Sequence, residues 1–84
     1  MALYQILHWR DIPSQIKAWD DFDEIKVELP QRFAARIDLA AEALGLTKSD
    51  DYLSQWKWSA EQERPGTPDE VAAAVSKELE AKSP

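Results

Sequence analysis

Apolar and polar positions along the first third of the chain alternate with the period of a strand. They then change to the three- and four-residue spacing of a helix. Residues 2–9 read Ala2-Leu3-Tyr4-Gln5-Ile6-Leu7-His8-Trp9, with Leu3, Leu7 and Trp9 in one file and Tyr4, Ile6 and His8 in the other. Apolar groups in both files predict a central strand. Pro13 removes a donor and disfavours helix for Ile12, so the strand is expected to end or bend there. Residues 14–29 predict a β-hairpin. Ile16 and Ala18 alternate with Gln15 and Lys17 in one arm, and Ile25, Val27 and Leu29 alternate with Glu24, Lys26 and Glu28 in the other. The turn is Asp20-Asp21-Phe22-Asp23, with no glycine to fix its type. Pairing Ile16 with Val27 gathers the aliphatic residues on one face and leaves Lys17, Lys26, Glu24 and Glu28 as a charge ladder on the other.

Pro30 suits the first position of a helix, where its missing N–H has no partner to lose. Phe33, Ile37, Ala40, Ala41 and Leu44 define a core stripe, and Gly45 is placed to end the helix in the left-handed region with Leu46 making the hydrophobic contact beyond it. Thr47 to Asp51 is a polar connector. Tyr52, Leu53 and Trp56 share a face if a short helix starts at Ser49 or Asp50. From Trp56, the alternation of Trp56, Trp58 and Ala60 with Lys57, Ser59 and Glu61 predicts a strand. Pro65-Gly66 predicts a turn, and Thr67-Pro68-Asp69-Glu70 a capping box that starts a helix with Val71, Val75 and Leu79 on one face. The expectation is a single α+β domain over 1–81 with a frayed tail at 82–84. Its order is β-β-β-α-β-α, in a mixed or antiparallel sheet with two helices packed on one face.

Composition narrows what such a domain can do. A chain of 84 residues buries only roughly 60–65 % of its unfolded surface, and the absence of cysteine leaves no disulfide to compensate. Aromatic rings must supply much of the core, and there are four tryptophans, two tyrosines and two phenylalanines to do so. Ten basic residues against 16 acidic ones give a net charge of −6, which argues against nucleic acid and against an anionic membrane surface. No apolar run approaches the length of a membrane span. Met1-Ala2-Leu3-Tyr4 has no basic region or cleavage site of a signal peptide, so the cytoplasm is the expected location.

The chemistry-bearing residues are few. One histidine and no cysteine nearly exclude zinc, copper and haem. The Asp20–Glu24 run lacks the glycine and distal glutamate of a calcium loop. His8 is the only candidate for a near-neutral proton carrier, and Asp11 would orient it only if the chain bends at Pro13. With Gly45 and Gly66 the only glycines, there is no phosphate-cradling loop. No catalytic residue, metal or cofactor is expected. Arg10 and Asp11 beside Trp9 have two readings, a recognition corner or a salt bridge locking the strand to the hairpin. The two differ in whether Arg10→Ala weakens binding or folding. Trp9 and Trp56 fit core positions. Trp19 falls on the charged face of the hairpin and Trp58 is hard to bury in so small a core, so both are candidates for a docking patch.

The run Trp9-Arg10-Asp11-Ile12-Pro13 with Gln15, then Leu29-Pro30 with Arg32-Phe33, Ile37-Asp38 and Ala40-Ala41, resembles the small bacterial domain family labelled "virulence factor", which is similar to a region of conserved virulence factor C. Asp51-Tyr52-Leu53 with Trp56 and the alanine-rich helix from Pro68 to Leu79 extend the resemblance over nearly the whole chain. The acidic Asp20–Glu24 turn departs from the more basic hairpin expected of the family. The label is phenotypic and implies no catalytic residues. The resemblance implies an accessory role beside folate- and corrinoid-dependent methyl-transfer proteins in one-carbon metabolism. The expected function is a non-enzymatic accessory domain that binds another protein through Arg10, Asp11, Trp19 and Trp58. The alternative is a small-ligand module, for a pterin-like molecule, with an aromatic pocket at His8 and Trp9.

Overall fold

Strand β1 (Ala2–Trp9) turns through a two-residue loop, Arg10-Asp11, directly into β2 (Ile12–Trp19), so the chain begins with a hairpin. Arg10 takes φ +56° to close that loop, a conformation that non-glycine residues adopt at a cost. Of the end or bend predicted at Pro13, the strand end falls earlier, at Trp9, and Pro13 marks an irregularity in the strand that follows. It is the second residue of β2, buried and in register with His8. The register slips between Leu7 and His8 so that Ser14 has no partner on β1. An irregularity of this kind is where a sheet tolerates a residue without an N–H.

The computed structural model describes residues 1–45 and 50–82. After β2 come β3 (Glu24–Glu28), α1 (Gln31–Leu44), α2 (Asp50–Ser54), β4 (Trp56–Trp58), β5 (Gln62–Arg64) and α3 (Pro68–Lys82). Among the described residues the sheet is five-stranded and antiparallel in every pairing, in the order β3-β2-β1-β4, with β5 continuing the β4 edge along the other end of β1. The α+β class and the helix-on-one-face architecture match the expectation; β5 is an addition to it, and the short helix considered from Ser49 or Asp50 is present as α2.

The β2–β3 hairpin has the predicted register, Ile16 opposite Val27 and Ala18 opposite Ile25. Its turn needs no glycine because a carboxylate closes it. Asp20 Oδ1 accepts the N–H groups of Phe22 and Asp23, both at 2.8 Å, and Asp20 N–H donates to the Asp23 carbonyl at 2.9 Å. Those two bonds, that of Asp23 first, hold the Asp20 carboxyl below its ordinary pKa.

The main core lies where the sheet meets the helices. Ala2 and Tyr4 of β1, Ile16 and Ala18 of β2, Leu29, Phe33 of α1 and Val71, Ala72 and Val75 of α3 are buried together, with Ile6, Ile25, Val27 and Leu79 around them. Leu29 and Val75 come from segments nearly fifty residues apart, so no single hairpin or helix is a stable unit by itself. Helix α1 starts at Gln31 with Pro30 as its N-cap, one residue later than predicted. It buries Phe33, Ile37 and Ala41, while Leu44, expected in the stripe, is 50 % exposed. Gly45 ends the helix at φ +68°, its N–H shared by the Ala41 and Glu42 carbonyls. Leu46 and the Thr47–Ser49 part of the connector lie outside the described residues.

Helix α3 has the full capping box. Glu70 N–H donates to Thr67 Oγ1 at 3.2 Å, and Thr67 N–H donates to Glu70 Oε1 at 3.1 Å. The helix continues through Lys82, so Lys82 is not part of a tail; Ser83 and Pro84 lie outside the described residues. Arg64 of β5 pairs with Glu78 at 2.8 Å, raising the one pKa and lowering the other. Arg32 of α1 donates to the Glu80 carbonyl at 3.2 Å. These contacts tie α3 to the β5 edge and to α1.

Candidate functional site

The strand registers place a second set of side chains on the sheet face that points away from the main core. Three rows cross its open part. Glu63, Leu3, Trp19 and Glu24 form one, Gln5, Lys17 and Lys26 the next, and Trp58, Leu7, Gln15 and Glu28 the third. A fourth row at the end of β1, Trp56, Trp9 and Ile12, is closed over by Ile37 and Ala41 of α1. Leu3, Leu7 and Trp19 are half-buried by their neighbours in the sheet, and Trp58 is 43 % exposed. No described residue of α1 or α3 joins these side chains in a buried cluster. With one face covered, the molecule is a plate of 41 × 26 × 15 Å. Its radius of gyration is 13.7 Å, against about 12 Å for a rounded chain of this length.

Lys17 occupies the middle of the open face. Its Nζ lies 5.3 Å from the centre of the Trp19 ring and 5.9 Å from that of Trp58, and 3.5 Å from Glu24 Oε1. The two indoles stand near rows about 13 Å apart along β1, and Lys17 spans the space between them. Its methylene stem covers apolar surface while its ammonium meets both rings, contacts worth about 0.5–1 kcal/mol each at exposed sites.

The β4–β5 edge of this face is held by a serine acting as a piece of backbone. Ser59 N–H donates to the Ile6 carbonyl at 2.8 Å, Ile6 N–H donates to Ser59 Oγ at 2.9 Å, and Gln5 Nε2 donates to the Ser59 carbonyl at 3.0 Å. The hydroxyl fills the ladder where the register slips by one residue between β4 and β5. That slip brings Glu63 beside Leu3 and Trp19.

Of the residues singled out in the sequence, Trp19 and Trp58 come to this one face. Arg10 and Asp11 stand at the tip of the first hairpin, exposed, beyond the end of β1 that carries Trp58. Among the described residues no salt bridge involves either of them, so the locking ion pair is not what holds the corner. Backbone and indole groups hold it. Arg10 N–H donates to the Gln55 carbonyl at 3.1 Å and Trp9 Nε1 donates to the Tyr52 carbonyl at 3.0 Å.

Trp9 is 0 % exposed, packed with Ile37 and Ala41 and bordered by Ile12, Ala40, Tyr52 and Trp56. The Trp9 and Tyr52 rings are 5.6 Å apart, and Tyr52 meets Trp56 edge-on at 6.2 Å. A fully enclosed indole with its N–H already bonded offers no wall to a ligand, so Trp9 is a core residue and not the lining of a pterin-like pocket. His8 is half-buried between Pro13 and Lys57, and no hydrogen bond or ion pair among the described residues joins it to Asp11. Among the described residues no group of histidine or carboxylate side chains has the geometry to hold a metal ion.

Leu3, Leu7, Phe22 and Glu63 belong to the same surface and were not singled out in the sequence. Strict alternation in β1 already places Leu3 and Leu7 opposite Tyr4 and Ile6. Phe22 and Glu63 are brought there by a turn and by a short edge strand, which alternation does not register. No helix among the described residues is long and apolar enough to cross a membrane. Neither the curated proteins nor the solved structures yield a match to the chain. The family model described as "Virulence factor" matches residues 7–84, from the last turn-ward residues of β1 through α3, and the chain belongs to that virulence factor family.

Proposed function

We propose that this domain is a non-enzymatic accessory module that binds another protein through its open sheet face. The observation that carries the reading is the pairing of Trp58 with Leu7 and of Trp19 with Leu3 on a part of the sheet face where no described helix residue joins them in a buried cluster. Large aromatic side chains concentrate binding energy when a partner excludes water from them. Beside them, Lys17, Gln5, Gln15 and the glutamates of β3 supply the polar rim that a reversible interface carries. Arg10 and Asp11, free of salt bridges among the described residues, extend that rim at one end. A place beside folate- or corrinoid-dependent methyl-transfer proteins, which the family resemblance implies, would make the partner a component of such a system.

The test is affinity capture from native lysate with the wild-type chain, Trp58→Ala, Arg10→Ala and Leu39→Ala, the last on the outer surface of α1. A protein recovered by wild type and by Leu39→Ala but lost with Trp58→Ala supports the reading. A partner retained by Trp58→Ala and lost with Leu39→Ala would move the docking surface to the helices and refute it.

A further inference from the structure

One end of the open face is indented. Met1, Leu3, Trp19, Asp20, Asp21, Phe22 and Glu63 line a cleft of about 400 Å³, in the lower part of the range of small-molecule and side-chain pockets. Its apolar lining comes from Leu3 and Trp19, side by side across β1 and β2. Phe22 is 91 % exposed, an aromatic ring that buries almost nothing of itself in this chain. Carboxylates surround these groups. Asp20 is committed to its own turn through Phe22 and Asp23 N–H. Asp21 and Glu63 are exposed, and among the described residues neither is in a salt bridge.

We infer that this cleft receives a cationic side chain, an arginine or lysine flanked by apolar residues, from the protein partner that docks on the open face. The inference deepens the docking function proposed above and rests on it. Three arguments select a cation. First, a guanidinium or ammonium over Trp19 and Phe22 with Asp21 and Glu63 at its edge satisfies the ring faces and the carboxylates together, which neither a neutral nor an anionic group does. Second, the chain already uses the Trp19 ring in this way toward a cation of its own, Lys17 at 5.3 Å. Third, the alternatives carry the wrong sign. A second copy would bring another −6 net charge, and nucleic acid or an anionic membrane would bring phosphates. Self-pairing along the free β3 edge is opposed as well, since an antiparallel pairing centred on Lys26 sets Lys26 against Lys26 and Glu24 against Glu28.

The experiment uses the full chain and two blocked peptides of one shape. One is acetyl-Leu-Arg-Leu-Arg-amide; the other replaces both arginines with citrulline, which removes the charge and keeps the size. Each is titrated into ¹⁵N-labelled protein. The arginine peptide is expected to shift the Trp19 indole N–H and the Phe22 and Glu63 amides saturably, and to bind about fivefold more tightly than the citrulline peptide, the effect of two partly exposed charge pairs. In the Asp21→Asn, Glu63→Gln variant, whose changes are both at exposed positions, the two peptides should bind within about twofold of each other. Equal binding of both peptides to wild type, shifts centred on Leu7 and Trp58 alone, or no saturable binding of either would overturn the inference. The docking function itself is decided separately, by whether Trp58→Ala loses the captured partner. Thus a cleft that ignores charge and a face that binds nothing give different results.

Discussion

The indole N–H of Trp9 donates to the carbonyl of Tyr52 at 3.0 Å, across 43 residues of sequence. This bond fastens the short helix α2 to the end of β1, and the Trp9 ring fills the space between α2 and the C-terminal half of α1. It is why the aromatic corner of the sequence is structural. Trp9→Ala is expected to cost about 3–5 kcal/mol, a large part of the roughly 4–13 kcal/mol available to a domain of this length. Trp9→Phe keeps most of the ring and removes one of the two donors to the Tyr52 carbonyl, which still accepts the Gln55 N–H at 3.2 Å, so it should cost about 0.5–1.5 kcal/mol. Urea denaturation of the two variants checks both values, and a Trp9→Phe as stable as wild type would show that the hydrogen bond contributes little.

Arg10 closes the first hairpin with a left-handed backbone and no side-chain ion pair among the described residues. Arg10→Gly should therefore stabilise the fold by about 1 kcal/mol, and Arg10→Ala should change it by less than about 0.5 kcal/mol. Thermal unfolding at matched buffer tests the pair. A loss of more than 1–2 kcal/mol in Arg10→Ala, on the order expected for a lost structural interaction, would restore the locking role.

The reciprocal cap of α3 makes its N-terminus the place where that helix is most sensitive at its surface. Thr67→Ala removes the acceptor of the Glu70 N–H and should cost about 1 kcal/mol. Thr67→Ser, which keeps the hydroxyl, should cost far less. The contrast is read in denaturation midpoints, and equal losses in both variants would point to the lost methyl group.

Two carboxylates with lowered pKa tie stability to acid. Backbone N–H groups of Asp23 and Phe22 lower the Asp20 pKa, and the hydrogen bond from Arg64 lowers that of Glu78. A carboxyl whose pKa is lower folded than unfolded contributes stability above its unfolded value and loses it as pH falls through the folded one. Stability should thus fall through the acidic carboxylate range, and Asp20→Asn or Glu78→Gln should each flatten part of that decline. Denaturation midpoints measured between neutral pH and pH ~3 would show it; slopes unchanged in both variants would contradict the assignment.

Much of this architecture could be read along the chain wherever an element determines its own pattern. The β2–β3 register follows from Ile16, Ala18, Ile25 and Val27, and the ends of the long helices follow from Gly45 and the Thr67–Glu70 box. What escaped is set by neighbours. Gln62–Arg64 has no apolar alternation and is a strand only because β1 offers it an edge and Ser59 bridges the gap. Pro13 reads as a stop because its missing N–H is visible in the sequence, whereas the slipped register that tolerates it is not. The open face was legible in part, since Trp19 could be placed opposite Ile16 and Ala18. Leu3 and Leu7 belong to that surface because the main core, with α3 and the Phe33 end of α1, packs on the other side of the sheet. The Phe22–Glu63 cleft joins a turn to an edge strand, a juxtaposition with no signal in either segment.

The most direct measurement is site-specific photo-crosslinking in the native cell, with p-benzoylphenylalanine at Leu7 on the open sheet face, at Trp58 beside it, or at Leu39 on the outer surface of α1. Docking through the sheet predicts one discrete crosslinked partner from positions 7 and 58 and none from position 39. A partner crosslinked at position 39, with positions 7 and 58 silent, would contradict it.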